Sequence, residues 1–99
     1  MGRSGLQSIT NTKVSVLATS TTVLAANAAR EYVALTNDAD ETMYVSFNGE
    51  DQTNAAVMNE GVALLVGETV TFESPVIGFG PIYAICASGT KNMTVSEGA

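Results

Sequence analysis

From Lys13 onward, apolar and polar residues alternate in short runs rich in Val, Thr, Tyr and Phe. Asn, Asp, Gly or Pro interrupts each run at intervals of about ten residues, the pattern of short antiparallel strands joined by turns. "EYVALTN" sets Val33 and Leu35 on one face and Tyr32, Ala34 and Thr36 on the other. "TMYVSFN" repeats this with Met43, Val45 and Phe47 opposite Tyr44 and Ser46, and Asn48-Gly49 then gives a strong turn signal. "KVSVLA", "STTVLAA" and "NMTVSE" alternate similarly, while "IYAICAS" is almost continuously apolar, as befits a strand in mid-sandwich. "VALLVGETVTFES" predicts two strands, Val62–Val66 and Glu68–Glu73, around Gly67; "AAVMNEG" suits either a short strand or a single helical turn. Seven to eight strands at this spacing predict a single all-β antiparallel sandwich, jelly-roll-like or Greek-key.

The length of 99 residues fits one domain. Its expected core is Val33, Leu35, Val45, Phe47, Val70, Phe72, Ile82, Cys86 and Val95. Residues 1–12 are polar, with Leu6 and Ile9 as isolated apolar side chains, and cannot form a core of their own. They are expected to be an arm, flexible or ordered by a partner, ahead of a sandwich domain over 13–99. Arg3, Leu6, Ile9 and Lys13 are its candidate contact residues. Charge divides along the chain. Residues 1–30 hold Arg3, Lys13, Arg30 and no acid, giving +3; residues 31–99 hold ten acids and Lys91, giving −9. So acidic a body repels phosphate backbones and argues against nucleic acid as a partner. The basic start is suited to an acidic protein surface. No run approaches the ~20 apolar residues that span a bilayer, so no membrane partner is expected. With no apolar leader at the start, the chain is expected to be soluble and made in a cytoplasm.

Little in the sequence offers catalysis or metal binding. Histidine and tryptophan are absent and Cys86 is the one cysteine. A reactive thiolate needs a base or cation beside it, and a Cys–His pair is impossible here. Cys86 shares a strand face with Ile82 and Ala84, as a packed residue would. A zinc site draws on several Cys or His ligands, and the chain has one cysteine and no histidine. Asp38, Asp40 and Glu41 supply oxygen ligands but lack the glycine and distal glutamate of an EF-hand loop. The G-x-G in "GFGPIY" does not open a helix and so is no phosphate loop. Hence no cofactor, no metal and no enzyme activity are expected. Charged residues are 14% of the chain and hydrophobic residues 45%. An average domain carries about 25% charge, so some of this surface is expected to be covered by protein.

The series "REYVALTN", "DETMYVSFN", "EGVALLVGETVTFE" and "GPIYAICASGTKNMTVSE", over about residues 14–97, resembles a small β-sandwich domain of tailed-bacteriophage virion structural proteins. The likeness lies in a strand ending in Asn, a Tyr-Val-x-Phe strand, an apolar-x-Gly-Glu-x-Val hairpin and an Ile-Tyr-Ala-Ile-x-Ala-Ser-Gly strand. The resemblance implies a head decoration or cement protein on the outer capsid, with the major capsid protein or other virion proteins as partners. It equally covers head fibres, necks and tail fibres. It implies a virion location after synthesis in the host bacterial cytoplasm, and brings no active-site residues. A carbohydrate-binding module using Tyr32, Tyr44 or Tyr83 is the reading from another class. Few lysines guard the predicted strands, so open edges are expected to pair with further copies, a trimer being favoured.

Overall fold

The computed structural model describes residues 8–49, 51–73 and 78–99. The described residues form eight strands: β1 (Ile9–Leu17), β2 (Thr21–Leu24), β3 (Tyr32–Asn37), β4 (Met43–Ser46), β5 (Val62–Leu64), β6 (Thr69–Glu73), β7 (Ile82–Cys86) and β8 (Thr90–Gly98). They form two four-stranded sheets, ordered β1-β8-β3-β6 and β2-β7-β4-β5. Every described pairing is antiparallel.

The pairings β1·β8, β2·β7, β3·β6 and β4·β5 describe one long antiparallel ribbon, folded back at the β4–β5 connection. Rolling the ribbon brings β3 beside β8 and β4 beside β7, which completes both sheets. Every connection except β4–β5 therefore passes from one sheet to the other. That is the jelly-roll form of the expected sandwich. The first and last strands become partners because they are the two ends of the ribbon.

Alternation decides what lies inside. Val33 and Leu35 on β3, Met43 and Val45 on β4, Ile82, Ala84 and Cys86 on β7, and Met93 and Val95 on β8 turn inward and are buried. Of the expected core, Val33, Leu35, Val45, Ile82, Cys86 and Val95 lie in this cluster. Phe47, Val70 and Phe72 are half-buried at its rim. β6 is an edge strand, so Val70 and Phe72 are covered from one side. Phe47 lies just past the end of β4, its ring edge-on to Phe72 with centroids 4.8 Å apart. Such a pair adds about 0.5–1.5 kcal/mol beyond its buried area.

Three expectations are corrected. β1 begins at Ile9, so residues 9–12 pair with β8 and the sandwich starts before residue 13; the nine-residue β8 gives them partners. β5 and β6 are shorter than expected and form no hairpin, because they belong to different sheets. Between them Glu68 N–H donates to Leu65 O at 2.9 Å and Gly67 adopts φ 77°, a tight turn with a left-handed third residue. Leu65 and Val66, apolar enough to extend a strand, become the exposed corner of this turn. "AAVMNEG" is neither strand nor helix: Glu60 N–H donates to Val57 O, with Asn59 at φ 67°.

Candidate interaction surface

Among the described residues the buried polar side chains are Arg30, Asn37 and Asn48, and all three are spent on holding loops to the body. Arg30 is 1% exposed. Its Nε donates to Glu97 Oε2 on β8 at 2.7 Å, one terminal nitrogen to Gly78 O and Gly80 O, and the other to Ala25 O. One guanidinium thus ties β8 of the first sheet to the loops that follow β2 and precede β7 in the second. It is not a free cation of a basic N-terminal region, as its sequence position suggested; burial and Glu97 remove it from any docking role. Asn48 works beside it, donating to Pro81 O and accepting from Asn54 N–H. The chain packs so closely here that a Cβ on Gly80 would collide with Gly49 O. At the opposite end Asn37 donates to Glu41 O and Leu64 O and accepts from Ala39 N–H. No buried side-chain nitrogen or oxygen among the described residues lacks a partner.

The acidic loop after β3 is also engaged. Asp40 accepts from Lys91 Nζ at 2.8 Å, and this bond holds its carboxyl below the usual range while raising Lys91. Glu41 accepts from the backbone N–H and the hydroxyl of Ser88. No group of three metal-ligating side chains occurs among the described residues. Cys86 is buried, and its thiol donates to Val16 O at 3.3 Å across the sandwich. Burial first, then the charge of Glu41, push the thiol up. A thiol held protonated is a poor nucleophile.

The expected contact residues are partly placed. Arg3 and Leu6 lie outside the described residues; Ile9 and Lys13 project from the exposed half of β1. Among the described residues, Ile9, Leu17, Val57, Leu65 and Val66 are the large apolar side chains left exposed. Leu17 and the Leu65–Val66 corner lie at the same end of the sandwich, since Leu17 ends β1 and the corner precedes β6 beside Asn37. The corner was missed because an apolar pair beside a strand pattern looks like more strand. Tyr44 and Tyr83 share the outer face of the second sheet, whereas Tyr32 lies on the outer face of the first. The three tyrosines therefore form no single strip for a sugar. A depression lined by Ser46, Asn54, Ala55, Val57, Glu60 and Gly61 has a volume of about 150 Å³, below the ~300 Å³ at which small-molecule sites begin.

No family model matches the chain, and no curated protein matches it. A solved chain from Bacillus endospore appendages, described as a novel family of disulfide-linked pili, is similar over 99% of this chain and 95% of that one. The TM-score is 0.54 and the identity 20%. The likeness is one of fold: a small all-β sandwich.

Proposed function

We propose that the chain is a non-enzymatic structural subunit of a bacteriophage virion, present in many copies and attached to the outside of the capsid. The observation that supports this best is the division of its polar groups. Arg30, Asn37 and Asn48 are consumed in the fold, while Leu17, Leu65 and Val66 stand uncovered at one end. A surface of that kind gains by burial against protein, at about 25 cal/mol per Å² repeated over many equivalent contacts. The resemblance of the strand series to virion β-sandwich domains directs the reading to a phage particle. Its partners are the major capsid protein and further copies of itself, grouped as a trimer.

A second reading is favoured by the fold likeness: a subunit of a tail, neck, fibre or pilus-like filament. Covalent linkage through Cys86 has no place in it, because that thiol is buried. Gold labelling with an antibody to this chain, on purified virions and on the cells that produce them, separates the two. Label over heads supports decoration. Label restricted to tails or cell-surface filaments moves the protein to the second reading, and label on neither removes both.

A further inference from the structure

The two edges of the first sheet are complementary to one another. Ser8 and Ala99 exchange both backbone hydrogen bonds, at 3.0 Å each, in the register of the β1·β8 ladder. Antiparallel pairing alternates, so Thr10, Thr12, Val14 and Val16 also direct their backbone groups to β8. Ile9, Asn11, Lys13, Ser15 and Leu17 direct theirs away from the sheet. Leu17 N–H confirms the phase, because it is taken by Thr21 Oγ1. The N–H and C=O groups of Ile9, Asn11, Lys13 and Ser15 have no partner among the described residues. On the far edge, Asn37 N–H donates to Glu68 O in the β3·β6 register. By the same alternation Glu68, Val70 and Phe72 face β3, and Thr69, Thr71 and Glu73 face outward.

These two rows match in direction, face and charge. β1 runs opposite to β6, because three antiparallel steps separate them. A second copy advanced along the sheet therefore brings its β1 antiparallel to β6 of the first. Lys13, Thr94, Thr36 and Thr69 lie in one rank across the four strands. The outward-bonding residues of both edges thus carry their side chains on the same solvent face, and pairing them continues both faces without a twist in register. Lys13 is the one ionised side chain on β1, and Glu73 ends β6. Neither strand contains proline, and their ladders run without a shift in register, so two of the usual guards against edge pairing are missing. The edge charges that could act as a third, Lys13 and Glu73, are opposite in sign and attract across this pairing.

We propose that this sheet extends head-to-tail, the β1 edge of one copy pairing with the β6 edge of the next. Ser15, Lys13 and Asn11 pair with Thr69, Thr71 and Glu73, which sets Lys13 diagonal to Glu73 within reach of its carboxylate. Contacts of this heterologous kind close into a ring where the rotation permits and otherwise continue as a filament. The inference rests on the reading of the chain as a structural subunit and adds how copies join.

Proline tests it, because at an outward position it removes only the donor used by the neighbour. Sedimentation velocity on the wild-type chain is expected to show assemblies that grow with concentration. Lys13→Pro and Thr71→Pro are each expected to keep the far-ultraviolet spectrum of the fold and to sediment as monomers. Mixed one to one they are expected to form a dimer, through the intact β6 edge of the first and the intact β1 edge of the second. Thr12→Pro, whose N–H faces β8, is expected to unfold. Should a proline variant not fold, Lys13→Glu and Glu73→Lys replace them, each weakening assembly alone and restoring it in the mixture. A wild-type chain that stays monomeric overturns the proposal. So does a Thr71→Pro chain that dimerises alone, or a mixture without dimer. A chain found on virions whose Lys13→Pro variant still assembles sinks this inference alone. Assembly through these edges by a chain absent from virions and filaments sinks the function proposed above instead.

Discussion

The two sheets have the same number of strands and treat their edges in opposite ways. The second sheet is bounded by β2, four residues long with a break in register between Thr22 and Leu24, and by β5, three residues long. Asn37 Nδ2 takes the carbonyl of Leu64 on β5, and Glu68 Oε1 takes the N–H of Leu65 just beyond it. The loop after β4 bonds to Ser46 and, through Ala56, to Ser20 ahead of β2. It therefore crosses the outer face of β7, which lies between, and leaves outward-facing Ile85 only 9% exposed. Short, bulged and covered edges discourage pairing. The first sheet instead has a nine-residue edge strand whose residues Ile9–Lys13 are all exposed. One sheet closes the molecule, and the other is left open to a neighbour.

The contrast breaks most severely if the sheets lose the residue that joins them. Arg30→Ala leaves the carbonyls of Ala25, Gly78 and Gly80 without their donor and Glu97 without its cation. A loss of about 3–5 kcal/mol is expected in urea unfolding. Asn37→Ala sharpens the contrast, since it strips the cover from β5 while leaving β1 and β6 intact. The orphaned Leu64 carbonyl and Ala39 N–H should cost about 1–3 kcal/mol, and head-to-tail assembly measured by sedimentation should persist. A smaller effect is expected at Cys86, which links β7 to Val16 on β1. Its folded pKa is raised above 9.0. The unfolded chain therefore ionises first, binds fewer protons, and gains on the folded state as pH rises. The Cys86 contribution to the unfolding free energy should be constant at neutral pH and fall in the alkaline range, and Cys86→Ala should lessen the alkaline fall.

Much of this body was legible in the sequence. Period-two alternation marked β3, β4 and β8, and placed Val33, Leu35, Val45 and Val95 inside. Asn48-Gly49 marked the end of the β4 segment. What alternation does not carry is the partner of each strand. β1 pairs with β8 from the far end of the chain, and no local signal records that. The division of β5 from β6 was hidden for a related reason, since Leu65 and Val66 continue the apolar pattern through a turn held by Gly67 and Glu68. Arg30 was the largest omission. An arginine beside a turn looks like solvent-facing charge until Glu97 and the glycine loop close around it. The glycines of "GFGP" were the available hint, because such spacing permits backbones to approach where a Cβ would collide.

Amide hydrogen exchange read residue by residue, on dilute and concentrated protein, tests the central claim most directly. Thr12 and Val14 should be protected at every concentration, because their N–H groups face β8. Asn11, Lys13, Ser15, Thr69, Thr71 and Glu73 should exchange freely when dilute and slow together as concentration rises. If those six amides remain fast in concentrated protein, the first sheet has no neighbour at its edges and the account is contradicted.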